Sequence, residues 1–71
     1  MKNDIRNEIR SYIVRSGFTM GDTVGMLARE KDWSESASNF SNKLSRGTLR
    51  YSEAKDIAAV LGYEIVWVKK S

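Results

Sequence analysis

Cysteine, histidine and proline are all missing from these 71 residues, and each absence closes off something. Without cysteine there is no disulfide framework, no thiolate zinc site and no thiol nucleophile. Without histidine the commonest metal ligand and general base is gone as well. Nine serines occur, but none has an evident base to activate it, so neither an enzyme nor a cofactor nor a small-molecule substrate is expected. Asp22, Glu30, Asp32 and Glu35 cluster in sequence yet lack the loop spacing and central glycine of a calcium-binding hand. Gly21 and Gly25 lack the flanking Lys-Ser/Thr of a phosphate loop. No apolar run approaches the ~20 residues of a membrane span. The first residues, Met-Lys-Asn-Asp-Ile-Arg, carry charge where a secretory signal would be apolar, so a cytoplasmic address with no membrane partner is expected.

What remains is 41% apolar and 30% charged, a balance that folds, and a length that supports a single domain over 1–71. The net charge of +3 is small. Its distribution says more: between Glu35 and Glu53 no acidic residue occurs, while Lys43, Arg46 and Arg50 do, so that stretch would tolerate an anionic ligand.

With no proline, five single glycines supply the punctuation. Ile5, Ile9, Tyr12 and Ile13 recur at helical spacing and predict a first helix over about 4–16, stopped by Gly17. Thr19 followed by Asp22 has the form of a capping box and predicts a second helix over 20–30, with Val24, Leu27 and Ala28 inward. Gly21 and Gly25 weaken it by up to ~1 kcal/mol each, so it depends on packing, and Gly25 offers room for a close helix crossing. Ser34 is the expected cap of a third helix over 34–45, in which Trp33, Ala37, Phe40 and Leu44 continue the apolar stripe before Gly47. Ser52 is the expected cap of a fourth over 52–61, with Glu53 in its first turn and Ala54, Ile57, Ala58 and Leu61 inward before Gly62. Residues 63–69, Tyr-Glu-Ile-Val-Trp-Val-Lys, are β-branched and aromatic and predict a strand. A lone strand needs a partner, and the simplest is the same strand of a second copy. Both faces of that strand are apolar, so Val66, Trp67 and Val68 are the expected dimer contacts. Lys69 and Lys70 close it as a basic tail.

The third helix presents Ser36, Ser38, Asn39, Asn42, Lys43 and Arg46 away from its apolar stripe, donors and acceptors without a carboxylate. Such a face suits the major groove, about 12 Å wide, where asparagine pairs with adenine and Lys or Arg with guanine. It is also what an ordinary solvated helix surface looks like. Asn39-Phe40-Ser41-Asn42-Lys43-Leu44-Ser45-Arg46-Gly47, followed by Tyr51-Ser52-Glu53-Ala54-Lys55-Asp56-Ile57-Ala58-Ala59-Val60-Leu61-Gly62-Tyr63, resembles the third and fourth helices of the lambda-repressor/Cro-like helix-turn-helix superfamily. Met26-Leu27-Ala28 extends the resemblance over roughly residues 9–63. It implies a mostly α, four-helix DNA-binding domain, here with one C-terminal β-strand, acting as a transcriptional regulator of a bacterium, phage or mobile element.

By the same resemblance, Ser36, Ser38, Asn39 and Asn42 would contact bases in double-stranded DNA, and Lys43, Arg46 and Arg50 would contact the backbone. Where many members open the second helix with Ser-Gln to hold a phosphate, this chain has Thr19-Met20, leaving Thr19 as the only substitute. The usual glutamate before Arg-Gly is Ser45, the proline before the fourth helix is missing, and the connection between helices two and three is about three residues longer. An alternative reading keeps the helical fold as a protein-interaction module that acts through its C-terminal strand.

Overall fold

Three helix ends are set by glycines in the left-handed region, Gly17 at φ +80°, Gly47 at +67° and Gly62 at +86°, where a Cβ would cost energy and glycine costs nothing. They divide a computed structural model, describing residues 4–70, into α1 (Asp4–Arg15), α2 (Met20–Lys31), α3 (Ala37–Arg46) and α4 (Tyr51–Leu61). The end of α2 was not legible in the sequence. Asp32 takes the left-handed conformation there at φ 62°, and the main-chain N–H groups of Asp32 and Trp33 both turn back onto the Leu27 carbonyl. Aspartate is among the few non-glycine residues that tolerate this geometry.

The starts of the helices follow local hydrogen bonding. Thr19 and Asp22 form the expected capping box: the Asp22 N–H donates to Thr19 Oγ1, and the Thr19 N–H donates to the Asp22 carboxylate, both at 3.0 Å. Helix α3 starts later than predicted, because its cap is Ser36, whose hydroxyl oxygen accepts from the Asn39 N–H at 3.2 Å. Ser34 instead braces the connector by accepting from the Ser36 N–H. Helix α4 starts one residue earlier than predicted, with Arg50 at the cap position and Ser52 inside the first turn. An arginine side chain has no acceptor, so only the acidic half of a capping box operates, the Arg50 N–H donating to Glu53 Oε1 at 2.9 Å.

Helix α2 packs against all three other helices, and this decides its stability. Its two glycines cost up to ~1 kcal/mol each, whereas burying Val24 and Leu27 returns roughly 1.5–3 kcal/mol apiece. Packing therefore outweighs propensity. Gly25 has a different role from the one expected: a Cβ there would meet only the tip of the Arg29 side chain, at 3.4 Å, so no helix crosses closely at that point. The core is completed by Ile13, Phe40, Leu44, Ile57, Val60 and Leu61, with Ile9, Tyr12 and Trp33 packed at its margin. Ile5 and Ala37 were expected to face inward and are exposed, each lying in the first turn of its helix. Thr23 is the converse case, fully buried at 0% exposure. Its hydroxyl donates to the Thr19 carbonyl at 3.0 Å, so no polar group is stranded.

No strand is present among the described residues, and 63–70 carry no regular secondary structure. The expected strand is absent because this single chain offers nothing to pair with it. The segment is nevertheless tethered. The Tyr63 ring meets Tyr12 of α1 edge-on at 4.8 Å, and Trp67 Nε1 donates to the Tyr51 hydroxyl of α4 at 3.0 Å. The chain is compact, with a radius of gyration of 12.1 Å, against roughly 11 Å expected for this length. No helix among the described residues is long and apolar enough to cross a membrane.

Candidate nucleic-acid interface

The amphipathic division of α3 is sharp. Phe40 and Leu44 are buried, whereas Ser38, Asn39, Ser41, Asn42, Ser45 and Arg46 are exposed. At 3.6 residues per turn Asn42 points directly away from the Phe40/Leu44 seam. Ser38 and Arg46, four residues to either side, continue its ridge along the helix. Neither α3 nor its first turn contains an acidic residue, so the outermost line of this helix consists of hydroxyl, amide and guanidinium groups.

The flank of α3 beside that ridge is concave. Ser36, Asn39, Asn42, Lys43 and Arg46 line one recess of about 710 Å³. Trp33 and Ser34 of the connector form one wall, and Thr48 and Glu53 the other. Five of the sequence-predicted contact residues thus share one surface. Ser38 lies on the outer ridge instead, and Thr19 and Arg50 are not part of the lining. The five-residue connector 32–36 contributes Trp33, Ser34 and Ser36 to that lining. It is held by the Trp33 Nε1 hydrogen bond to Asp56 of α4 at 3.0 Å and by the edge-on packing of Trp33 on Phe40.

Two of the predicted backbone contacts are already engaged. Lys43 Nζ lies 2.8 Å from Glu53 Oε2, with the two side chains 39% and 19% exposed, and the same ammonium sits 6.0 Å from the Trp33 ring centroid. The stretch between Glu35 and Glu53, read as carrying three uncompensated cations, therefore has one of them compensated. The Glu53 carboxyl is held below its ordinary range, first by the Arg50 N–H and then by the Lys43 ammonium, so Glu53 stays ionised at neutral pH. Sequence reading placed Glu53 correctly in the first turn of α4 but missed its hold on Lys43. The link spans two helices, and no local signal announces it. Thr19 presents a similar case. Its Oγ1 accepts from Asp22, and the Asp22 carboxylate lies over the first turn of α2, where it occupies the positive end of the helix dipole that would otherwise attract a phosphate.

Ser36 spends an oxygen lone pair on the Asn39 N–H and is half-buried, which leaves its hydroxyl hydrogen as its remaining donor. Asn39, Asn42, Arg46 and Arg50 keep exposed side chains. Val66, Trp67 and Val68, the predicted dimer contacts, are 67%, 86% and 83% exposed. No group of three carboxylates converges among the described residues. Compared with protein families, curated proteins and solved structures, the chain matches none.

Proposed function

We propose that this protein binds double-stranded DNA and regulates transcription, as a helix-turn-helix domain of the lambda-repressor/Cro-like kind, with α3 lying in the major groove. The observation that carries this reading is the exposed, acid-free ridge of Ser38, Asn42 and Arg46. Any carboxylate on it would be repelled by the phosphates flanking the groove, and amide and guanidinium groups are those that read base edges. Asn42 is the outermost base reader, with Asn39 beside it on the recess side. Arg46 and Arg50 supply the phosphate charge.

Selection from a random duplex pool, followed by titration of Asn42→Ala against the selected site and against unrelated duplex, tests the proposal. The variant is expected to lose roughly 1–3 kcal/mol on the selected site and little elsewhere. Equal loss on both, or none on either, overturns the placement of α3.

The engaged states of Lys43 and Thr19 favour a second reading, a protein-interaction module of the same helical fold that does not bind DNA. Salt dependence separates the two. Arg46 and Arg50 together give log affinity a slope of about −2 against log salt per chain, whereas the interaction module shows flat, negligible DNA binding.

A further inference from the structure

Reading a groove does not require the recess beside α3. A major-groove reader presents a protruding helix, and the ridge of Ser38, Asn42 and Arg46 is exposed for that purpose. A hollow of about 710 Å³ is instead of the size that takes a small organic molecule. Its lining is divided by chemistry. Val24 and Phe40 are buried and give it an apolar floor, while Ser36, Asn39 and Arg46 bring hydrogen-bonding groups to its edge.

Trp33 is the fixed part of the wall. Its Nε1 donates to Asp56 at 3.0 Å, and its ring meets Phe40 edge-on with 6.2 Å between centroids. A ring pinned in this way loses little freedom when a second ring stacks on it, and such pairs gain more than the area they cover. Lys43 lines the same recess, so the indole face it overlies is the one turned inward. Its Nζ stands 6.0 Å from the ring centroid, the outer limit of a cation–π contact, and leaves that face open.

Charge and spacing define the rest of the ligand. Lys43, Arg46 and Glu53 are the only charged groups in the lining, and Lys43 is paired with Glu53 at 2.8 Å. The uncompensated charge is therefore that of Arg46, whose planar fork matches one carboxylate. A phosphate monoester, at about −1.5 to −2, carries more charge than this lining balances. Asn39 and Arg46 are seven positions apart on one flank of α3, about 10.5 Å along the helix axis. The Trp33 ring lies between them, beside Phe40 and Lys43. One aromatic ring with a polar group at each end spans that interval once a hydrogen bond of about 2.9 Å is added at either end.

We infer that the recess beside α3 binds a planar aromatic monocarboxylate with a polar group at its far end. The ring stacks on Trp33, the carboxylate meets Arg46, and the far end meets Ser36 and Asn39. Binding itself is independent of DNA. Its consequence rests on the reading of α3 as a groove reader: a ligand that occupies Asn39 and Arg46 releases the duplex, and the recess is then where a small-molecule signal acts.

Titration of the full chain with para-hydroxybenzoate in the absence of DNA, followed by nitrogen–proton correlation NMR, tests the site. Two tryptophans are present, and the indole N–H of Trp33 is expected to shift while that of Trp67 stays. Arg46→Gln is expected to weaken binding roughly tenfold or more, through loss of a charge-assisted bidentate contact. Glu53→Gln, which frees Lys43, is expected to tighten it about two- to fivefold. The uncharged para-hydroxybenzamide is expected to bind roughly tenfold more weakly than the acid, and the cyclohexane analogue of the acid, which cannot stack, several-fold more weakly. The Arg46 side chain is exposed, so circular dichroism is expected to report an unchanged fold. Equal binding of acid and amide overturns the carboxylate, and equal binding of the cyclohexane acid overturns the stacking on Trp33. No shift at millimolar ligand, or equal shifts at both indoles, overturns the site. Anisotropy with a labelled duplex separates this proposal from the reading of α3: ligand-free protein that binds no duplex overturns that reading alone, and a bound duplex that the ligand leaves in place overturns the release.

Discussion

Replacing Glu53 by glutamine separates two roles of one carboxylate. Oε1 accepts from the Arg50 N–H at the start of α4, and a glutamine carbonyl can do the same. Oε2 holds Lys43 Nζ at 2.8 Å, and a neutral amide releases it. A full Coulomb attraction at this separation would reach several kcal/mol at an effective dielectric constant of about 20, but both side chains are partly open to water, where such pairs are worth about 0.2–1 kcal/mol. Taking ~1 kcal/mol, the tie lowers the availability of Lys43 for a phosphate by about fivefold. Glu53→Gln is therefore expected to tighten DNA binding by about that factor at low salt, and to steepen the log–log salt slope by ~0.9, because the freed ammonium neutralises one more phosphate. Stability should fall by no more than about 1 kcal/mol. Fluorescence anisotropy with a labelled duplex at four or five salt concentrations, wild type beside variant, measures both quantities. An unchanged slope would show that Lys43 does not reach the backbone, and that the recess beside α3 faces away from the duplex.

Arg46→Ala is expected to weaken binding to every sequence and to reduce the salt slope by ~0.9; a loss confined to one sequence would make Arg46 a base reader instead. Thr19→Ala removes the α2 cap and is expected to cost about 1 kcal/mol in urea unfolding while leaving DNA affinity unchanged, because Asp22 covers that helix end; weaker DNA binding by the variant would refute this. Leu27→Ala, at the fully buried centre of α2, is expected to cost about 2–5 kcal/mol, enough to unfold much of a domain this small, and thermal melting followed by circular dichroism reads it. The Glu53 carboxyl is depressed in the folded state. Its stabilisation is thus complete above the ordinary glutamate range and is lost as pH falls through the lower folded value. The difference in melting temperature between wild type and Glu53→Gln is expected to be constant through neutral pH and to shrink as the pH falls below the ordinary glutamate range.

The residues that end and start helices act through neighbours three or four positions away, and for that reason they are readable from the sequence. Thr19 with Asp22, and Gly17, Gly47 and Gly62, occupy the positions and conformations that their chemistry predicts. The polar face of α3 is equally readable, since a 3.6-residue period separates Asn42 from Phe40 and Leu44 without reference to the rest of the chain. Where two local signals compete, local reasoning fails. Ser34 and Ser36 both can cap, and the left-handed turn at Asp32, which a sequence pattern does not mark, decides for Ser36.

Sequence alone determined that this chain is helical, where its apolar stripes run, and that one helix carries a face without carboxylates, because each of these depends on side chains close together along the backbone. The tertiary structure decided which of the cations beside that face are already neutralised. Lys43 and Glu53 are ten positions apart, and only the packing of α3 beside α4 brings an ammonium and a carboxylate within 2.8 Å. It also decided the state of residues 63–70. Their composition favours a strand, but backbone pairing needs a second segment, and the four helices provide none.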